Sequence, residues 1–215
     1  MRGIVFDLDG TLVDSYAAIA ESLNHARAGF GMPALPDERI RLQVGRGLEA
    51  LIADLVGRDR IVEGVRLFRE RYAVVYASKT FLLPGVVSTL KQLSERGYPM
   101  SVASNKPARF GRAIVDALGL SSYLVNVHGP DSVGSTKPDP AMLRRCVEDM
   151  QVTVSSAIYV GDMVLDVETA ACADIPVILV DGGSSTGSDL RETGQICVAG
   201  LPDLLDRLPL DLRKD

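Results

Sequence analysis

The sequence predicts an α/β protein, a doubly wound parallel sheet interrupted by an inserted all-helical block. From about residue 83 onward, short apolar runs alternate with single helical patterns. Residues 15–79 break that alternation, holding helical patterns and no convincing strand. Two carboxylates, Asp7 and Asp9, follow the first apolar run directly.

The elements follow in chain order. Ile4-Val5-Phe6 reads as a buried strand, and Gly10 supplies the backbone freedom for a sharp exit where it ends. The i, i+2 spacing of Asp7 and Asp9 points both side chains to one face if the strand persists. A helix is predicted over 16–28, ending near Gly29 and Gly31. Ile61, Val65, Phe68, Tyr72 and Tyr76 recur every three or four residues, giving a second helix one apolar face. A structureless connection of this length would be anomalous, so 15–81 is read as an inserted cap. Residues 1–14 and 82–215 then form the core, with the crossings near 14–15 and 81–85. Strands are predicted at 99–104, 123–127, 157–160, 176–180 and 196–198, and helices at 86–96, 108–118, 140–150, 164–173 and 202–208. Strands joined by single helices imply right-handed βαβ units. Gly182 to Ser188 reads as a flexible loop.

Composition bounds the function. With 47% apolar and 24% charged residues in 215, the chain can bury a sizeable core. A net charge of −5 offers no basic face for a nucleic acid backbone. Cys146, Cys172 and Cys197 are odd in number and lack a C-x-x-C, which fits reduced thiols. No apolar run reaches the roughly 18 residues of a membrane span, and the N-terminal one is too short for a signal peptide. The expectation is a soluble, cytoplasmic protein without nucleic acid or membrane partners.

Four signals fall at predicted strand ends, where open α/β sheets bind ligands. They are Asp7-Leu8-Asp9-Gly10-Thr11, Ser104-Asn105-Lys106, Lys137 before Pro138, and Gly161-Asp162 with Asp166 four residues on. Each alone has a structural reading. A carboxylate after a strand can be a solvated loop residue, Ser104 can start a turn, and Asp139-Pro140 can start a helix. Asp162 and Asp166 can decorate a helix N-terminus.

In this order, and with a helical block after the first motif, the set resembles the haloacid dehalogenase superfamily, specifically its phosphatase branch. The resemblance implies a Rossmann-like core with a helical C1-type cap. It implies a phosphomonoester hydrolase in which Asp7 is the nucleophile, forming an aspartyl-phosphate, and Asp9 the general acid and then base. Mg²⁺ would be held by Asp7, the Asp9 backbone carbonyl and Asp162, as in the family. The charge arithmetic supports a cation, because Asp7, Asp162, Asp166 and a phosphate dianion would bring about five negative charges together. Ser104 would donate to a phosphoryl oxygen beside Asn105, and Lys137 would meet the growing charge. Asp166 would orient Lys137 or metal-bound water, and Thr11 would position Asp9.

Specificity would come from the cap. Within Val44-Gly45-Arg46-Gly47-Leu48, Arg46 is either a clamp for a carboxylate or second phosphate, or a solvated turn residue. With Ser104-Asn105-Lys106-Pro107, this segment is similar to the phosphoglycolate-phosphatase-like group, which implies a small phosphorylated metabolite such as 2-phosphoglycolate. A β-phosphoglucomutase-type mutase, a pyrophosphatase or nucleotidase, and a non-catalytic phosphometabolite-binding protein are the alternatives. His25 and His128 lie outside the motifs and are read as structural. Relatives commonly carry glycine where this chain has Asp174, a position suited to a left-handed helix end.

Overall fold

The structure, a computed structural model, describes residues 2–208; the last seven residues of the expected core lie outside them. The chain opens with β1 (Gly3–Phe6) and β2 (Val13–Asp14), then runs through α1 (Tyr16–Gly29), α2 (Asp37–Arg41), α3 (Leu48–Leu55) and α4 (Ile61–Val75). It returns by β3 (Phe81–Leu82) to α5 (Val86–Glu95), β4 (Met100–Ala103) and α6 (Ala108–Ala117). Then come β5 (Val127–His128), α7 (Pro130–Val133), α8 (Ala141–Asp149), β6 (Ala157–Gly161) and α9 (Val164–Ala173). Finally, β7 (Val177–Val180), α10 (Gly187–Glu192) and β8 (Ile196–Val198) precede a 3₁₀ turn at Leu201–Asp206.

Six strands form one parallel sheet in the order β5-β4-β1-β6-β7-β8. β1 lies between β4 and β6, with Phe6 level with Val102 on one side and Val160 on the other. The strand order reverses at β1, so a crevice opens beyond its carboxyl end. β1, β4 and β7 are buried throughout, as strands covered on both faces must be. Phe6, Val102 and Val160 face one apolar cluster with α5 and α6, whereas Val5 and Tyr159 face another with α8 and α9.

The helical block has an apolar cluster of its own, built by α1, α3 and α4 around Leu23, Ile52, Val65, Phe68 and Tyr72. Its two connections to the sheet pair as an antiparallel ribbon, Val13 opposite Leu82 and Asp14 opposite Phe81. Two residues from each side are too short for an apolar alternation, which is why no strand is legible there.

Two predicted elements differ. Residues 121–123 form a 3₁₀ turn and the strand proper is Val127–His128, an edge strand paired only with β4. The last helix is a 3₁₀ segment with Pro202 in its first turn. Asp174 ends α9 at φ 60°, ψ 35°, the left-handed conformation that glycine adopts without cost.

Candidate active site

The first motif leaves β1 as a tight loop. Val13 donates its N–H to the Leu8 carbonyl, and Gly10 N–H bonds back to Val13. Gly10 takes φ +87°, and a Cβ there would sit 2.4 Å from Asp162 Oδ2. Glycine thus lets the loop lie against the end of β6.

Four buried carboxylates converge on this point with two lysines. Lys137 Nζ stands 2.9 Å from both Asp7 Oδ1 and Asp166 Oδ1. Burial raises the Asp7 carboxyl to about 6; Lys137 works against that rise, while Asp166 and Asp9 add to it. Asp162 is pushed well up by burial and by the charges of Asp166 and Asp7. Burial disfavours the Lys137 ammonium, but Asp166 and Asp7 outweigh it and hold the amine charged.

The partners divide these carboxylates into two kinds. Asp166 is saturated: Oδ1 accepts from Lys137 and from the Tyr159 hydroxyl at 2.8 Å, and Oδ2 from the Asp162 and Met163 amides at 3.0 Å. Asp162 accepts from Thr11 Oγ1 at 2.9 Å and from the Ser184 amide at 2.7 Å. Asp7, Asp162 and Asp166 each offer an oxygen within 4.8 Å of the others, the one such cluster among the described residues. Three carboxylates with one ammonium leave negative charge uncompensated, and hard oxygen donors suit a divalent cation. The donor set therefore fits a metal, with Asp7 and Asp162 free to bind it and Asp166 occupied in orienting its neighbours.

Asp9 has different partners. Ser15 Oγ donates to its Oδ1, and Lys106 Nζ lies 3.0 Å from its Oδ2. Lys106 also donates to the Tyr72 hydroxyl of α4 at 2.7 Å, so a residue of the helical block reaches Asp9 through one side chain. Ser104 is 4% exposed at the end of β4, its N–H on the His128 carbonyl. Asn105 accepts from the Lys137 amide at 2.8 Å and donates to the Gly45 carbonyl at 2.9 Å.

Asp7, Asp9, Ser104 and Asn105 line one pocket, and Lys137, Asp162 and Asp166 gather around Asp7; Thr11 and Arg46 lie otherwise than expected. Thr11 bonds Asp162 and not Asp9; the turn carries its hydroxyl towards β6, and Ser15 takes the role expected of it. Arg46 is not on the pocket wall, although Gly45 and Gly47 are. Its side chain is 67% exposed and 3.9 Å from Asp54, so its surface-turn reading describes it. Lys106 was legible only as part of the Ser104 motif, and Tyr72 only as an apolar position on a helix. Ser184 lies in the segment read as flexible. His128 bonds Asp149 at 2.8 Å and has a structural role. Cys146 is buried in the core, whereas Cys172 is exposed.

The haloacid dehalogenase-like hydrolase family matches residues 4–180. The phosphoglycolate phosphatase of Yersinia pestis is 32% identical, over 100% of this chain and 96% of that protein. The plasmid phosphoglycolate phosphatase of Cupriavidus necator is 35% identical, over 96% and 90%. Among solved structures, a haloacid dehalogenase-like hydrolase from Streptococcus pneumoniae superposes with a TM-score of 0.87 at 23% identity, covering 96% of this chain and 98% of that one. No helix among the described residues is long and apolar enough to cross a membrane.

Proposed function

Because the chain belongs to the haloacid dehalogenase-like hydrolase family, we propose that it is a Mg²⁺-dependent phosphatase of a small phosphomonoester of the 2-phosphoglycolate kind. One observation carries this reading. Asp7 and Asp9 leave β1 beside a pocket that Ser104 also lines, while Lys137, from the turn before α8, stands 2.9 Å from Asp7 and Asp162, at the end of β6, clusters with it.

On this reading an Asp7 oxygen attacks phosphorus and the bond to the ester oxygen breaks, leaving an aspartyl-phosphate. Asp9 gives its proton to the departing alkoxide. It then takes a proton from the water that attacks the same phosphorus and frees Asp7. Lys106, 3.0 Å away, balances the Asp9 charge between the two steps. Ser104 donates to a phosphoryl oxygen, and Lys137, already fixed against Asp7, faces the charge that grows on the transferring group. A Mg²⁺ held by Asp7, Asp162 and the Asp9 carbonyl would neutralise phosphoryl charge. Lys106, having one N–H beyond those facing Asp9 and Tyr72, is the cation placed to meet the carboxylate of 2-phosphoglycolate, the role expected of Arg46.

The test is phosphate release with Mg²⁺ from 2-phosphoglycolate, hexose phosphates, nucleotides and pyrophosphate. Hydrolysis of 2-phosphoglycolate that stops on chelation is expected. A strong preference for a hexose phosphate would overturn the substrate, and turnover surviving chelation would overturn the metal. Isomerised product from glucose 1-phosphate would indicate a mutase.

A further inference from the structure

Asp162 is oriented by a loop that the helical block also holds. After β7 the chain passes over this carboxylate, and one peptide unit there is bonded at both ends. Its Ser184 N–H donates to Asp162 Oδ2 at 2.7 Å, and its Gly183 carbonyl accepts from Arg41 Nε at 3.2 Å. Arg41, the last residue of α2, also donates to the Gly182 carbonyl.

A peptide unit is a rigid plane whose N–H and C=O point opposite ways, so turning it would break the bonds to Arg41 and Asp162 together. The guanidinium on the carbonyl also polarises the amide at the other end, making it a stronger donor to the carboxylate. Arg41 thereby acts on Asp162 through this peptide. Gly182, at φ +90°, and Gly183 carry no side chains that could fix the loop from within. The block supplies two further contacts. Tyr16 of α1 places its ring 4.3 Å from the Arg41 guanidinium and shares a 2.8 Å hydrogen bond with the Ser184 hydroxyl. Gly45 packs so closely on the side chain of Met163, the residue after Asp162, that a Cβ would not fit.

Resting on the metal site of the reading above, we propose that Arg41 is a positioning residue for Asp162, so that binding of the divalent cation and the contact between α2 and the loop favour one another. The coupling is reciprocal. Whatever factor the contact adds to metal affinity, bound metal adds to the contact.

The probe is Mn²⁺, titrated into metal-free protein without substrate and followed by the electron paramagnetic resonance signal of the free ion. Arg41→Met should raise the dissociation constant about tenfold, the lower end of the range for groups that orient metal ligands. Arg39→Met, which removes an exposed arginine from the same helix, should stay within about twofold of the wild type, because an exposed charge is screened. If Arg41→Met does not fold, Arg41→Lys decides: a rise of about threefold is expected for the lost hydrogen bond, and an unchanged constant overturns the proposal. Hydrogen exchange read by mass spectrometry gives the reciprocal measurement, with Mg²⁺ slowing exchange across 37–47 in the wild type and not in Arg41→Met. Equal Mn²⁺ constants for wild type and Arg41→Met overturn the proposal, as does an equal rise in Arg39→Met, or exchange across 37–47 that ignores Mg²⁺ in a wild type that binds it. Each of these leaves the metal site standing. Failure of the wild type to bind Mn²⁺ overturns the metal reading itself, and this inference with it.

Discussion

Asp7, the proposed nucleophile, shows how a side chain at the site can oppose the fold that carries it. Its carboxyl moves from the ordinary 3.8 to about 6, chiefly by burial, so the folded state holds that proton more tightly than the unfolded chain does. The resulting destabilisation is absent below about pH 4, grows between about pH 4 and 6, and is complete above. In Asp7→Asn the metal-free protein should therefore gain thermal stability over the wild type, the difference opening across that window and then levelling off. Turnover should fall at least a thousandfold in the same variant, because an amide cannot form the acyl-phosphate. Melting curves at several pH values with chelator present, alongside phosphate release, check both. A second pair of substitutions tests which cation meets the leaving group. Lys106→Met should raise KM for 2-phosphoglycolate at least tenfold, whereas Arg46→Ala should leave kcat and KM within about twofold, as expected for an exposed ion pair. At this scale the sequence showed residue types but not directions. Asp7, Asp9, Ser104 and Lys137 could be named from motif order, yet Thr11 could not be assigned to Asp162, because the turn of residues 8–13 decides where its hydroxyl points.

Among the elements, the segment after β7 departs most from its sequence. Two glycines and a run of small polar residues read as a flexible loop, but its backbone is held at several points. The Ser184 amide donates to Asp162 Oδ2, and the Ser184 hydroxyl shares a 2.8 Å hydrogen bond with Tyr16. Arg41 of α2 bonds the Gly182 and Gly183 carbonyls while lying 4.3 Å over the Tyr16 ring. Gly183 is small because Asp162 needs the space: a Cβ there would come within 2.0 Å of Asp162 Oδ2. Gly183→Ala should consequently displace that carboxylate and raise the Mg²⁺ concentration for half-maximal activity roughly ten- to hundredfold, the range found for groups that orient metal ligands. Circular dichroism unchanged from the wild type would separate this from unfolding. The main helices were legible from their periodic apolar faces and the strands from short continuous apolar runs, as strands buried on both faces require. This loop was not, because its order comes from backbone groups meeting residues far away in sequence, and composition does not record such partners.

At the scale of the molecule, three apolar clusters enclose a cleft that is electrostatically unfinished. Two flank the sheet and one lies inside the helical block, and the acidic cluster sits where β1 meets its neighbours. The sheet order follows from strands alternating with helices, and the cleft follows from the reversal at β1. The cap's spatial relation to Asp9 could not be read, because Lys106 and Tyr72 lie 34 positions apart and meet only on folding. In a chain of net charge −5, buried carboxylates with raised pKa values store a free energy that a bound cation would release. A divalent metal binding only the folded state should then stabilise the whole protein, by about 2.7 kcal/mol when present at 100 times its dissociation constant. For a domain of this size that corresponds to a rise in Tm of roughly 5–10 °C. Asp162→Asn should abolish the rise while sparing the fold, and K⁺ at matched ionic strength should not reproduce it, because general screening acts weakly on buried charges. A Tm indifferent to Mg²⁺ and Mn²⁺ in the wild type would mean that the cluster is balanced by protons and by Lys137 alone.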